Sequence, residues 1–155
     1  MAVELFFAVE PYSRIRAEAA PLAAAHWQET EKALYGPQTA VPMTHALYDA
    51  LEQGGALHIV TARTGAALHG YAAYCLSENL NMPGRSTASA LALYLSREAR
   101  TDAFAALRLL RWAENSLRQR GIAGIGYASP ASRPCDALYR RLGAKITETV
   151  WYKEL

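Results

Sequence analysis

Arginine is concentrated between Arg97 and Arg141, whereas the only lysines are Lys32, Lys145 and Lys153. Guanidinium groups grip phosphates and carboxylates through paired N–H donors. This stretch therefore offers local positive potential to an anionic ligand such as a phosphate ester, and a solvated helix face is the alternative. Proton transfer at neutral pH calls for histidine or a perturbed carboxylate. His26, Glu29, His58 and Glu98 are the candidates for a general base. His58 and His69 are expected to face each other across a hairpin, but two imidazoles with no carboxylate in register make no metal centre, and no metal is expected. Cys75 and Cys135 are far apart and form no CxxC pair, so they read as free, reduced thiols of a cytoplasmic protein. No Cys-His-Asp constellation stands out, so no covalent enzyme intermediate is expected.

The elements that must position these groups follow from periodicity and punctuation. Val3 to Val9 reads as a strand, stopped by Pro11 and Ser13. Ser13 can cap a helix to about Thr30, broken or kinked at Pro21. Gly36-Pro37 and Pro42 mark a loop, and Thr44 caps a helix through Leu51 that Gly54-Gly55 ends. Leu57 to Ala62 and Leu68 to Leu76 pair as an antiparallel hairpin around a turn at Arg63 to Ala66. Ser77 to Gly84 is polar and leads to a long strand, Ser86 to Leu95. The clearest helix runs from Asp102 to Arg120, with Phe104, Leu107, Leu110, Ala113 and Leu117 recurring every three or four residues. Ile122 to Ala128 is a short strand, Ser132 to Leu142 an amphipathic helix, and Lys145 to Lys153 alternates as a strand through Ile146, Glu148, Val150 and Tyr152. The order is β-α-α-β-β-β-α-β-α-β, without repeats, and residues 1–155 read as one domain.

Composition agrees with that layout. The chain has 155 residues, 52% hydrophobic and 19% charged, which excludes a disordered chain and a disulfide scaffold. Alanine makes up about a fifth of it, so strong apolar positions are fewer than that percentage suggests. The formal charge is +2 and the pI about 8.6, short of the strongly basic range of nucleic-acid domains, so a nucleic-acid partner is not expected, and a nucleic-acid-associated protein using the arginine-rich helices is a rival reading. No run approaches a membrane span, and the residues before Glu10 lack the pattern of a signal peptide, so no membrane partner is expected.

The element order resembles that of the GNAT N-acetyltransferases, and local sequence strengthens the likeness. Leu93-Tyr94-Leu95-Ser96-Arg97-Glu98-Ala99-Arg100 looks like the end of that family's fourth strand and the approach to its pyrophosphate loop. The family continues with Arg or Gln, two residues, Gly, one residue, then Gly or Ala. Arg100, Ala103 and Ala105 stand at those positions, and counting back from Trp112 gives Thr101 through Ala106 instead. Ala137-Leu138-Tyr139-Arg140-Arg141-Leu142-Gly143 is similar to the family's Tyr-x-x-x-Gly-Phe stretch. His26-Trp27 and Leu57 to Arg63 resemble a subgroup common in phage and prophage genomes.

The resemblance implies an α/β (α+β) fold with a mixed, mostly antiparallel sheet of about 6–7 strands and helices on both faces. It implies an N-acetyltransferase that moves an acetyl group from acetyl-CoA, as co-substrate, directly to a small-molecule or peptide amine. A GNAT-fold binding or interaction protein without catalysis is the alternative. Backbone N–H groups at Leu93, Tyr94 and Leu95 would lie beside the acetyl group. Arg100, Thr101, Asp102, Ala103, Phe104, Ala105 and Ala106 would form the pyrophosphate loop, where alanine keeps the donors of a helix N-terminus but adds methyl groups. Asp102 adds a negative charge there. Tyr139 falls at the family's general-acid tyrosine. His26 and Glu29 lie on the helix that walls the acceptor groove. Ser132, like Ser129, could replace the asparagine that contacts the coenzyme, or serve as a turn or cap residue. Gly124 and Gly126 would suit a strand that splays to admit the pantetheine arm. Trp27, Tyr35, Tyr48, Tyr71 and Tyr74 could line an acceptor pocket or form core. The strand-like tail could pair across a homodimer.

Overall fold

Five strands form one sheet in chain order: β1 (Phe6–Val9), β2 (Leu57–Thr64), β3 (Ala67–Glu78), β4 (Ser86–Leu95) and β5 (Gly124–Gly126). The structure, a computed structural model, describes residues 4–36 and 45–155. Val3, the loop at Pro37 and Pro42, and the Thr44 cap lie outside the described residues. The first four strands are antiparallel neighbours, and β5 joins β4 in parallel. Helices α1 (Tyr12–His26) and α3 (His45–Gln53) cover one face, and α4 (Ala105–Gln119) covers the other, with α5 (Asp136–Arg141) beside it. Among the described residues no helix is long and apolar enough to cross a membrane.

Strand alternation sorts the core into two layers. Ile59, Tyr71, Ala73 and Tyr94 face α1 and α3 with Tyr12, Ile15 and Tyr48. Val60, Ala62, Ala72, Tyr74, Ala88 and Leu95 face α4, against Leu109, Leu110, Ala113 and Leu117. Each such leucine, fully buried, contributes about 1.5–3 kcal/mol. Tyr48, Tyr71 and Tyr74 are therefore core, and Tyr35 is exposed. Phe104 precedes α4 and is also exposed, so the buried stripe starts at Ala105.

Two bulges decide which side chains reach which face. Ala73 pairs with Ala92 and Tyr74 with Ala90, leaving Leu91 as an extra residue on β4. The extra residue inverts the alternation, so Ala88, Leu93 and Leu95 face α4 while Tyr94 turns toward α1. On β3, Ala62 pairs with Gly70 and Arg63 with Leu68, leaving His69 as the extra residue. His58 pairs with Tyr74, so the expected facing of His58 and His69 does not occur.

Helix α1 starts one residue before Ser13, which is inside it rather than its cap. The carboxylate of Glu52, on α3, accepts hydrogen bonds from the N–H groups of Tyr12 and, at 3.2 Å, Ser13. A residue from another helix thus satisfies donors that α1 leaves open. The helix runs through exposed Pro21 instead of ending there. It then widens into a π turn over Trp27–Glu31 and closes as α2 (Lys32–Tyr35).

Among the described residues the sheet has five strands, not the expected 6–7, and residues 145–153 form no strand and are exposed. A strand needs a neighbouring edge for its N–H and C=O groups. The edge strands β1 and β5 are only four and three residues long, too short to anchor a long tail strand. In the tail, the Tyr152 ring stands edge-on to Tyr35, with centroids 5.3 Å apart.

Candidate functional site

The β4–β5 ladder stops early. Thr87, Ala88 and Ser89 pair with Gly124, Ile125 and Gly126, and then the strands part while β4 runs on to Leu95. The far edge of β4 is thus open on the β5 side. A Cβ at Gly124 would meet Thr87 at 3.8 Å and one at Gly126 would meet Ala88 at 4.0 Å, both ordinary contacts, so crowding does not demand either glycine.

Tyr139, on α5, stands beside this opening. Its hydroxyl donates to the carbonyl of Ala128 at 2.8 Å, just beyond β5, and its ring stacks on Tyr127 at 4.8 Å. Burial, followed by the neighbouring Cys135 thiol, pushes the Tyr139 phenol well above its ordinary value of 10, so it keeps its proton.

At the C-terminal end of β4, on the α1 side, an open cavity of about 560 Å³ is lined by Glu29, Arg97, Arg100 and Arg133. The π turn aims Glu29 into it, a placement such insertions often serve. The Glu29 carboxylate accepts from Arg133 at 2.8 Å, Arg100 at 2.9 Å and the Tyr94 hydroxyl at 3.1 Å, and Arg97 lies 3.5 Å away. Arg100 also lies over the Tyr94 ring at 5.6 Å. Arg97 and Arg100 come from the turn after β4, and Arg133 from the turn after β5. That second turn is held against the π turn by the Ser132 hydroxyl, which donates to the Thr30 carbonyl at 2.8 Å. Ser132 therefore tethers two loops, and Ser129 accepts from the Cys135 N–H at 2.8 Å.

These contacts argue against Glu29 as a base. Burial raises its pKa, but the hydrogen bonds from Arg133 and Arg100 and the charge of Arg100 outweigh that and set it at about 2. A carboxylate so acidic does not take a proton from an amine. His26 suits the task better. Its ring stacks on Tyr94 at 5.3 Å, and burial, then Arg133, holds it below its ordinary 6.5, so it is neutral at pH 7. His58 is held at about 4 by burial and Arg120 and bonds Ser116 at 2.8 Å, tying α4 to β2. Glu98 lies 3.7 Å from His69 and is mostly exposed.

The ionised Glu29 has a consequence for acid stability. Its folded value lies below the ordinary 4.5, so its stabilisation is present above pH 4.5 and is lost as pH falls toward about 2. Glu29→Gln should flatten the stability profile in that window, as measured by denaturant melts at successive pH values. Identical acid slopes for the two proteins would remove the ion-pair assignment.

The expected pyrophosphate loop adopts a short 3₁₀ turn, Ala99–Thr101, before α4. The N–H of Phe104 donates to Asp102 at 2.8 Å, and Asp102 also pairs with Arg108 at 2.6 Å. Asp102 thus closes a tight turn just ahead of α4 rather than capping it, and the helix begins at Ala105 rather than Asp102. Ala105 is buried in the core, Ala103 is exposed, and Ala106 is half-buried. The Thr101 hydroxyl donates to the Glu98 carbonyl at 2.8 Å. The turn is supported from beneath by His69, whose Nε2 bonds Thr64 at 2.6 Å and whose Nδ1 lies 3.3 Å from the Ser96 hydroxyl.

Sequence reasoning missed Arg133 as an individual site residue, and it missed the π turn. Arg133 could have been found from its position between Ser132 and Pro134 after a short strand. The segment Trp27–Glu31 carries no visible signal. Among the described residues no cluster of three or more His, Cys, Asp or Glu side chains could hold a metal ion.

No family model and no curated protein matches the chain by sequence. Solved structures do match it in shape. A ribosomal-protein-alanine N-acetyltransferase from Brucella melitensis biovar Abortus superposes with TM-score 0.72 at 17% identity, covering 98% of this chain and 99% of that one. An aminoglycoside acetyltransferase from an uncultured soil metagenomic sample gives 0.74 at 12% identity, covering 97% and 96%. A predicted acetyltransferase with acetyl-CoA from Clostridium acetobutylicum also gives 0.74 at 12% identity, with the same coverage. The parted β4 and β5, the flanking helices and these full-length superpositions agree, and the chain has the fold of the GNAT-family acetyltransferases.

Proposed function

We propose that this protein is an N-acetyltransferase that passes an acetyl group from acetyl-CoA directly to an amine. The observation that carries the reading is the opening between β4 and β5, with Tyr139 beside it and His26 on the opposite face of the sheet. The amine nitrogen attacks the thioester carbonyl carbon, and backbone N–H groups of β4 around Leu93, Tyr94 and Leu95 stabilise the developing oxyanion. The carbon–sulfur bond breaks, Tyr139 gives its proton to the departing sulfur, and neutral His26 takes the proton shed by the amine. Thr101, Asp102, Ala103, Phe104, Ala105 and Ala106 would lie beside the coenzyme phosphates, whereas Arg100, expected with them, is turned to Glu29 on the α1 face. On this reading the enzyme works in the cytoplasm on a small-molecule or peptide amine, and a second copy could pair along the tail. Calorimetric titration with acetyl-CoA, followed by thiol release over a panel of amines, tests it. Binding with turnover is expected, and no heat at millimolar ligand would overturn it.

A second reading, coenzyme binding without catalysis, is favoured by Asp102, which fills a donor that a phosphate would use. Asp102→Ala frees that N–H and is expected to tighten acetyl-CoA binding several-fold by the same titration. Unchanged affinity would place the phosphates elsewhere. Heat without thiol release in the unaltered protein would select this second reading.

A further inference from the structure

We infer that the acceptor amine carries an anionic group, a carboxylate or a phosphate, held by Arg97, Arg100 and Arg133. This rests on the acetyl-transfer reading above and adds the class of acceptor to it.

Position comes first. The bulge at Leu91 turns Tyr94 toward α1, and the Tyr94 hydroxyl bonds Glu29 inside the arginine-lined cavity. The cavity therefore lies on the α1 face of the sheet. Leu93 and Leu95, and the start of α4, lie on the other face. Direct transfer requires the amine to reach the thioester from the side that the coenzyme does not fill, and that side is the cavity.

Charge comes second. Three guanidinium groups against the Glu29 carboxylate leave a surplus of two positive charges at the cavity wall. Each guanidinium has five N–H donors, whereas one carboxylate offers about four acceptor positions, so Glu29 fixes the arginines without using up their donors. Arg97 is the most open, with 86% of its side chain exposed. The other carboxylates nearby, Glu31 and Glu98, are directed to histidines rather than to the three arginines. His26 is stacked on Tyr94, Glu31 lies 3.7 Å from His26, and Glu98 is directed to His69. Arginine forks bind carboxylate and phosphate in pairs of parallel hydrogen bonds, and the same field repels a polycation. It also favours the neutral form of an amine brought beside it, and only the neutral form attacks a thioester. An open depression lined by three arginines leaves room for a small anionic amine or the end of an acidic peptide.

The test is an acceptor panel read by thiol release: glutamate and an acidic dipeptide against glutamine amide, spermidine and kanamycin. The anionic amines should be preferred. Arg133→Gln should raise KM for them about tenfold, the loss of one charge-assisted pair, with acetyl-CoA affinity unchanged by calorimetry. Arg133→Glu should move the preference toward spermidine. Preference of the unaltered protein for spermidine or kanamycin would overturn the inference. So would a loss of acetyl-CoA affinity in Arg133→Gln, which would give the cavity to the coenzyme phosphates. Glutamate is also titrated alone by NMR, so the answer does not depend on turnover. Shifts at the arginine Nε–H signals that weaken tenfold in Arg133→Gln support the anion site even if acetyl-CoA gives no heat, and absence of such shifts overturns it.

Discussion

Gly70→Ala is expected to lower stability by about 3 kcal/mol, at the upper end of what overpacking a core does. In a chain of this length that corresponds to a melting temperature lower by roughly 10 °C. Gly70 pairs with Leu95 where β3 meets the end of β4. A Cβ there would sit 2.3 Å from the Tyr94 carbonyl oxygen, 2.6 Å from the Leu95 side chain and 2.9 Å from the Leu95 Cα. Two of those three atoms are backbone, so relief requires the strands to separate rather than a side chain to turn. Ser96 follows at once and donates its N–H to the His69 carbonyl at 2.7 Å, so separation would also displace the turn that carries Arg97 and Arg100. Gly124→Ala is the control, since its Cβ would meet only the Thr87 methyl at 3.8 Å and should leave the melt unchanged. Equal melting temperatures for Gly70→Ala and the unaltered protein would show that the approach of β3 to β4 is not tight.

Much of this arrangement was legible before the structure. The β2–β3 hairpin and β4 announce themselves through apolar alternation between turns, and α4 through its Leu110, Ala113 and Leu117 spacing, because burial on one face imposes those periods. The bulges at Leu91 and His69 were not legible. An extra residue leaves composition unchanged yet exchanges the two faces of everything after it, and here it decides that Tyr94 meets Glu29. The tail misled for the opposite reason. Its alternation is genuine, but alternation becomes a strand only where an edge is available, and the edge strands β1 and β5 are too short to supply one. Glu29 and Asp102 show what sequence reads least well. Each is a carboxylate whose chemistry depends on arginines, and the distant Arg100 and Arg133 turn Glu29 from a candidate base into a fixed counter-ion. Asp102, ahead of α4, is taken up by Arg108 one turn into that helix, a pairing that its expected place at the loop did not show.

Tyr139→Phe is expected to reduce turnover about 100-fold while leaving acetyl-CoA affinity within twofold, the signature of a group that acts only as the bond breaks. Phenylalanine keeps the ring stacked on Tyr127 and removes only the hydroxyl, so packing of α5 is retained. The hydroxyl points at the Ala128 carbonyl, which places its proton at the mouth of the opening. A phenol raised by burial holds that proton firmly, which makes it a reliable donor but a weaker acid than an unperturbed tyrosine. For that reason the effect belongs at the lower end of the 10²–10⁴ range for positioned acids. The same shift carries a sign. Tyr139 stays protonated past its ordinary value of 10, so the pH profile of turnover should show no alkaline fall from this group below pH 10. On the acid side, His26 is lowered from 6.5, so activity should persist somewhat below that value before protonation removes the base. A structural tyrosine would behave differently, losing coenzyme affinity and thermal stability together with turnover. Parallel losses of that kind, or unchanged turnover, would take Tyr139 out of the chemistry and leave the sulfur to be protonated by solvent.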